Sequence, residues 1–447
     1  MLEKLLDGVE KNRELISAAY NRIWKNPETG YREWKTNEYL KNEYEKLGYE
    51  LTMAGNIPGF ITEIDTGRPG PTVAVFGEMD ALICATHPDA DPATGAVHAC
   101  GHCAQSAALL GLAAALKEPG VLDGMSGKIR LIAVPAEELI EIEYRQKLYD
   151  EGIIRYFGGK QEFIYRGLLD GADMAIMIHN STAWPKGTGR VNLGSNGCMI
   201  KTIVFHGKAS HAGGSPHRGR NALYAATQAL TAINAIRETF RDEDHIRVHG
   251  IITQGGDVAN TIPDRVVMEF YVRGANGDAI KAANEAVNRA VSGAAVSLGC
   301  TVTIDDRHGY FPRIHDRGMM EAAREGMELA LEHVLYIPEG WTYGCSDFGD
   351  ITSIMPGVHP HIGGSRGTVH GSTYFIDDPA GVCTDSAKAQ AGILWVLLKD
   401  GAERALRIKE DFTPVFATRD EYLKFIDDAT AVREAVSYLD DGSILIK

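Results

Sequence analysis

Short apolar runs that alternate with helical segments are the feature that most restricts the fold of this chain. Three such runs, residues 72–76, 129–134 and 174–178, are bounded by turn residues. Between the first two lies 104–116, a stretch rich in Ala and Leu that is typical of a buried helix. Apolar runs of this length predict strands. Strands that alternate with helices predict an α/β sheet with helices on both faces.

The pattern changes near residue 193. From there the sequence predicts strands over 195–206, 249–253, 265–272 and 300–305, and helices over 221–241 and 279–298. These elements form an α+β unit of about a hundred residues, a typical domain size. The sequence pattern of the first 192 residues resumes near residue 310, with helices predicted over 317–335 and 380–399. We therefore predict a domain, residues 193–305, inserted into another that is formed by 1–192 and 306–447.

Length and charge narrow the class of protein. The chain has 447 residues, which favours two domains, and its formal net charge is −15. Nucleic acid and anionic membranes require a basic face, so neither is an expected partner. No stretch is long and apolar enough to cross a membrane. The N-terminal residues lack the pattern of a secretory signal, and the seven cysteines have no disulfide-scaffold spacing. These features favour the cytoplasm.

Polar side chains follow the predicted strands where each strand ends. The run 72–76 is followed by Gly77-Glu-Met-Asp80, the run 129–134 by Pro135-Ala-Glu137-Glu138, and the run 174–178 by His179-Asn180. Further on, His359-Pro-His361 leads within a few residues to His370. Ligands of open α/β sheets gather beyond the carboxyl ends of the strands. The sequence therefore predicts one convergent site of carboxylates and imidazoles.

Two side chains at the start of the Ala-rich helix have metal-ligand spacing. In Ala99-Cys100-Gly101-His102-Cys103, a thiolate and an imidazole two residues apart can face one metal ion, and Gly101 permits a tight bend. Cys and His are favoured ligands of zinc and its neighbours. The same residues also form a C-x-x-C pair at a helix start. A thiol–disulfide oxidoreductase that uses Cys100 and Cys103 is therefore an alternative.

Glu137 and Glu138 form an acidic pair directly after a predicted strand. Extended backbone sends neighbouring side chains to opposite sides. One carboxylate can then bind a metal ion while the other faces the substrate and accepts a proton from water, whose pKa the metal lowers. The pair predicts metal-assisted hydrolysis.

Taken together, these motifs resemble those of the M20 metallopeptidases, in the amidohydrolase branch that includes N-acyl-amino-acid, indole-acetyl-amino-acid and aminobenzoyl-glutamate hydrolases. The resemblance runs in order along nearly the whole chain. Its motifs are Asn26-Pro-Glu-Thr-Gly-Tyr31, Gly77-Glu-Met-Asp-Ala-Leu82, His98-Ala-Cys-Gly-His102, Pro135-Ala-Glu-Glu138, Lys208-Ala-Ser-His-Ala212, Asn260-Thr-Ile-Pro263 and His361-Ile-Gly-Gly364. It implies a mixed-sheet α/β metallopeptidase catalytic domain with an inserted α+β lid and dimerisation domain.

The resemblance also implies a ligand set for two divalent metal ions, with Zn or Mn favoured and Co or Ni as further candidates. By position in the motifs, Cys100 is the thiolate shared between the ions. The remaining ligands implied in this way are His102, Glu138, His179 and His370.

Catalytic and substrate-binding roles are implied in the same way. Glu137 matches the general base. His211, in the inserted domain, matches a residue that stabilises the tetrahedral oxyanion, often across a homodimer. Asn260 and Arg273 match positions that hold polar groups of the substrate, and an Arg can bind a carboxylate through two hydrogen bonds.

The sequence departs from the family pattern at two places. Cys103 replaces the Asp that usually follows Cys-Gly-His, which removes an expected support of the metal site. Residues 139–167 are longer and more charged than the segment that usually follows the Glu pair. We expect this segment to shape the substrate pocket.

The expected function is hydrolysis of the amide bond in an N-acylated amino acid or dipeptide-like substrate with a free carboxylate. Hydrolytic deamination of an aromatic amine is an alternative within the enzyme class, because the same activated water could perform it. A metal- or ligand-binding module without catalysis is another. The oxidoreductase alternative would leave the Glu pair, His179 and His370 without a role.

Overall fold

The structure is a computed structural model that describes all 447 residues. The helices are α1 Leu2–Lys11, α2 Arg13–Trp24, α3 Trp34–Lys46, α4 His102–Leu116, α5 Ile142–Asp150, α6 Gly159–Tyr165, α7 Ala222–Ile236, α8 Gly277–Ser297, α9 Arg317–Glu328, α10 Phe348–Ile354, α11 Pro379–Leu398, α12 Glu403–Asp411 and α13 Arg419–Asp428. The strands are β1 Thr52–Met53, β2 Phe60–Asp65, β3 Thr72–Glu78, β4 Leu82–Ile83, β5 Ala96–Val97, β6 Lys128–Val134, β7 Met174–Met177, β8 His179–Ser181, β9 Thr188–Ser195, β10 Gly197–His206, β11 Arg247–Gln254, β12 Arg265–Gly274, β13 Thr301–Tyr310, β14 Arg313–Ile314, β15 His333–Thr342, β16 Gly357–Val358, β17 His361–Gly363, β18 Ser365–Arg366, β19 Phe375–Ile376, β20 Ala431–Tyr438 and β21 Ile444–Ile446.

The chain divides into two compact units. The first contains Met1–Gly194, Ile314–Trp341 and Asp350–Arg419, and the second contains Ser195–Arg313, Thr342–Gly349 and Asp420–Lys447.

The first unit is built on a six-stranded mixed sheet in the order β1-β2-β6-β3-β7-β16. β2 runs antiparallel to both β1 and β6, whereas β6, β3, β7 and β16 are parallel. Every residue of β3 is buried, as expected for a strand covered on both faces. α4 is buried along its whole length, and its Ala- and Leu-rich sequence suits that environment. The prediction of a mixed-sheet α/β fold is confirmed.

The second unit is a six-stranded antiparallel sheet in the order β11-β12-β10-β13-β20-β21. Alternate residues of β12 are buried, the pattern of a sheet with one face on a core. α7 and α8 supply apolar residues to that core, among them Ala225 and Val287.

One predicted helix is wrong in its second half. The sequence predicts a helix over 317–335, but α9 ends at Glu328 and β15 begins at His333. Exposed and partly buried residues alternate along β15, which is the two-residue period of a strand. Val334 and Tyr336 pack against the core of the first unit from this strand.

Residues Asp420–Lys447 group with the second unit, whereas the prediction from the sequence is that all of 306–447 belongs to the catalytic domain. The reason is strand pairing, because β20 is antiparallel to β13 and β21 continues the sheet. Ala435 and Val436 are fully buried in the core of this unit. The chain first passes from the first unit to the second after Gly194, close to the predicted boundary after residue 192.

No helix of the structure combines the length and the apolar character that crossing a membrane requires.

We expect Val436→Asp to destabilise the second unit by about 3 kcal/mol or more, because it buries an unpaired charge in an apolar core. Val432→Asp on the same strand is the matched control, since Val432 is 62% exposed. Urea unfolding of the whole chain would measure both variants. Equal effects of the two substitutions would contradict this placement of the C-terminal strand.

Candidate metal centre

The candidate site lies at the carboxyl ends of three adjacent parallel strands. β3 ends at Glu78, β6 is followed by the Glu137–Glu138 pair, and β7 is followed by His179. β6, β3 and β7 are neighbours in the sheet, so their ends converge at one edge. The sheet order therefore brings residues from distant parts of the sequence together.

Two further segments complete the edge. Gly101 precedes α4 with a φ of 104°, and a Cβ at this position would lie 2.5 Å from the hydroxyl of Tyr374. Only glycine suits this turn, which presents Cys100 and His102 to the strand ends. The loop that carries His370 docks beside it, because the His370 N–H donates to the Ala99 carbonyl at 2.9 Å.

The five residues that the sequence analysis predicts as metal ligands lie together in two overlapping groups. Cys100, His102 and His179 form one, and Cys100, Glu138 and His370 form the other. Within each group the candidate ligand atoms lie within 4.8 Å of one another. The Cys100 Sγ lies 3.3 Å from the His179 Nε2. Cys100 belongs to both groups, which is the geometry required of a shared thiolate.

A third group contains a residue that the sequence analysis did not single out. Glu78, His102 and Glu137 also bring their ligand atoms within 4.8 Å of one another. The His102 Nε2 lies 3.2 Å from Glu78 and 3.9 Å from Glu137. Glu78 is 1% exposed, so this carboxylate is fully buried beside the imidazole.

Hydrogen bonds on the far side of each imidazole orient its Nε2 toward Cys100. The His102 Nδ1 lies 3.0 Å from the Asp80 carboxylate and 3.1 Å from the Asp80 carbonyl, so it carries the proton. The His179 Nδ1 donates to the Asn180 carbonyl at 2.7 Å. The other Asp80 oxygen accepts the Glu138 N–H at 2.8 Å. Asp80 therefore holds one predicted ligand and the backbone of another.

The charges at the site shift the pKa values of its members. Burial opposes ionisation of Cys100, but the His102 and His179 imidazoles outweigh it and lower the pKa of the thiol to about 6. Burial also opposes ionisation of Asp80, yet the adjacent His102 lowers its pKa to about 2. Burial disfavours the imidazolium of His370, but Glu138, 3.0 Å away, raises its pKa above the ordinary value. The site thus favours a thiolate and ionised carboxylates.

Cys103 has a different environment from Cys100. It is fully buried in the apolar core of the first unit, and burial raises the pKa of its thiol. It belongs to none of the three groups of candidate ligands. A buried, protonated thiol is a poor nucleophile, which disfavours the oxidoreductase alternative. Asp80, rather than the residue at 103, supports His102.

Residues 139–167 contribute buried cations to this edge. Arg145, on α5, is 1% exposed and donates to the carbonyls of Phe157, at 2.5 Å, and of Glu138. Lys160, on α6, is fully buried and pairs with Glu78 at 2.5 Å. The sequence contains no motif for either contact, and the Lys160 contact joins residues that are 82 positions apart.

The second unit holds the other predicted residues. His211 and Asn260 are both exposed and lie close together. His211 forms an isolated antiparallel β-bridge with Thr261, and the Ala212 N–H donates to the Asn260 carbonyl at 2.9 Å. Arg273 lies near the opposite end of β12, with its guanidinium 5.3 Å from the Tyr271 ring. Its buried Nε makes no hydrogen bond. The structure thus brings His211 and Asn260 together and places Arg273 apart from them.

The chain is similar to several known proteins. The model of Peptidase family M20/M25/M40 matches residues 74–388. The chain is 28% identical to thermostable carboxypeptidase 2 of Saccharolobus solfataricus, over 85% of this chain and 94% of that protein. It is 32% identical to one polypeptide of the p-aminobenzoyl-glutamate hydrolase of Escherichia coli, over 59% of this chain and 60% of that polypeptide.

A solved structure shares the fold. It is a Bacillus subtilis protein described as a dinuclear metal binding peptidase from the M20 family, with a TM-score of 0.64 and 22% identity. The match covers 87% of this chain and 99% of that one.

Substitutions at Cys103 test its apolar role. Cys103→Asp restores the acid usual in the family, yet we expect it to destabilise the chain by roughly 3 kcal/mol, because it buries an unpaired charge. Cys103→Ala should cost only about 1 kcal/mol and retain the activity of the chain. Denaturant unfolding and an activity assay would measure both. Loss of activity in Cys103→Ala would instead favour thiol chemistry.

Proposed function

This chain belongs to peptidase family M20/M25/M40, and we propose that it is a two-metal amidohydrolase. As a member it is a hydrolase that acts on amide or peptide bonds. The proposed substrate is an N-acylated amino acid, or a dipeptide-like compound, with a free carboxylate. The observation that carries this proposal is the pair of ligand groups that share Cys100.

The donor set fits two divalent ions. Cys100, His102 and His179 would hold one, and Cys100, Glu138 and His370 the other. The His102 Nε2 and the Glu138 Oε1 are buried but make no hydrogen bond of good geometry with their neighbours. Buried polar atoms without a well-formed hydrogen bond are expected where these atoms coordinate a metal ion. Thiolate, imidazole and carboxylate ligands together suit Zn or Mn, with Co or Ni as further candidates.

When bound, the two ions would polarise the scissile carbonyl and lower the pKa of a water molecule. The proposed base is Glu137, which is 7% exposed and has an oxygen 3.9 Å from the His102 Nε2. It takes a proton from the attacking water and passes it to the leaving amine. The turn before it is fixed, because the Ala136 N–H donates to the buried Glu33 at 2.8 Å.

His211 is suited to donate a hydrogen bond to an oxyanion. Its Nδ1 accepts the backbone N–H groups of Gly213, at 3.2 Å, and Gly214, at 2.9 Å. The neutral ring must then carry its proton on Nε2, which is the donor needed by a tetrahedral intermediate. The same two contacts fix the direction of the ring.

The positions of Arg273 and His211 support a homodimer. Asn260 and His211 lie beyond the Arg265 end of β12, whereas Arg273 is near its other end. Eight residues of strand span roughly 25 Å, which is longer than a small amide substrate. We propose that one protomer supplies Arg273 for the substrate carboxylate and that its partner supplies His211 and Asn260.

We also propose a cytoplasmic location. All seven cysteines are free, and five of them are buried. Free thiols in this number are typical of a reducing compartment.

Glu137→Gln tests the assigned base. We expect the variant to bind metal like the wild type and to lose about 100-fold or more in kcat, because the amide cannot accept the proton. Glu138→Gln is the matched comparison, and it should lose metal first. Metal content by mass spectrometry and single-turnover hydrolysis would separate the two effects. Full turnover by metal-loaded Glu137→Gln would overturn the assignment.

A further inference from the structure

We propose that Lys160 is a positioning residue of the metal centre, which acts on His102 through Glu78. This inference rests on the proposed metal site. It gives residues 139–167 a role in building that site, in addition to any role in shaping the substrate pocket.

The Lys160–Glu78 pair is buried more deeply than an ordinary salt bridge. The two side chains are 0% and 1% exposed, and the Lys160 Nζ donates to the Glu78 Oε1 at 2.5 Å. Removing both charges from water is costly, so a buried pair does little for stability compared with apolar side chains of similar size. The pair is better explained by the geometry it imposes.

The second oxygen of Glu78 faces the metal centre. It accepts the Gln105 Nε2 at 2.6 Å and lies 3.2 Å from the His102 Nε2. Lys160 therefore holds one oxygen of the carboxylate, while the other lies against the imidazole atom proposed to bind metal. Without Lys160, the carboxylate would lose the contact that fixes its Oε1, and its position beside His102 would be less well defined.

The backbone fixes Lys160 relative to the Glu pair. A Cβ on the preceding Gly159 would lie 1.7 Å from the Pro135 carbonyl oxygen, so only glycine permits this approach. The Gly159 N–H also donates to the Ala136 carbonyl at 3.1 Å. The start of α6 is thus attached to the same strand end that carries Glu137.

The charges of the site give Lys160 a second purpose. The anionic groups here are the Cys100 thiolate and the carboxylates of Glu78, Asp80, Glu137 and Glu138. The ammonium of Lys160 offsets part of this negative charge at Glu78, and it does so without occupying a metal-ligand position.

Cobalt titration of the purified full-length chain tests the proposal, because a Co²⁺–thiolate pair at Cys100 absorbs light. We expect Lys160→Met and Glu78→Gln each to weaken Co²⁺ binding by about 10- to 100-fold, the usual effect of losing a partner of a metal ligand. Lys160 acts through Glu78, so the two substitutions should not add. The double variant Lys160→Met/Glu78→Gln should therefore bind Co²⁺ no more than about twofold less tightly than whichever single variant binds it less tightly. Lys147→Met, at an exposed lysine of α5, is the matched control and should bind like the wild type.

The outcomes are separable. If the single variants do not fold, the double variant, which removes both charges of the Lys160–Glu78 pair, still tests the role through its Co²⁺ affinity. Wild-type affinity in folded Lys160→Met or in the double variant would overturn the role of Lys160 while leaving the metal centre intact. Independent, multiplying effects of the two substitutions would also overturn it. A wild-type chain that binds no Co²⁺ would overturn the proposed function, and this inference with it.

Discussion

Burial of several carboxylates at one edge of the sheet is the constraint on which the rest of the site depends. Glu78, Asp80 and Glu137 are each less than a tenth exposed. An ionised carboxylate costs several kcal/mol to bury unless it is paired and hydrogen-bonded. The fold meets this cost with the imidazole of His102, the Glu138 N–H on Asp80 and the ammonium of Lys160. An arrangement of this kind is suited to bind divalent cations rather than to stabilise the fold.

The rest of the first unit positions these groups. The order β6-β3-β7 places three strand ends side by side, and the buried α4 begins where they meet. Because strands and a core helix are rigid, ligand atoms from distant parts of the sequence stay within metal-binding distance. Residues 139–167 then add cations from the side, where neither the sheet nor α4 supplies them.

The sequence predicts the part of the site that local patterns encode. Cys100 and His102 share a turn, and Glu138 and His179 follow apolar strands, so each could be found from its neighbours. Lys160 could not, because its partner Glu78 is 82 residues away and no motif joins them. The same limit explains why the sequence does not predict β15 and the C-terminal hairpin correctly. Their structure depends on pairing with strands that are distant in the sequence.

Metal content measured together with amide hydrolysis tests directly whether the chain is a two-metal amidohydrolase. The purified chain, loaded with Zn²⁺ or Mn²⁺, would be assayed on N-acyl amino acids, dipeptides and aminobenzoyl-glutamate, with mass spectrometry of the products. We expect about two ions per chain and release of a free amino acid, and chelation should abolish both. A chain that binds no metal, or that binds two ions and releases only ammonia from aromatic amines, would contradict the proposed function.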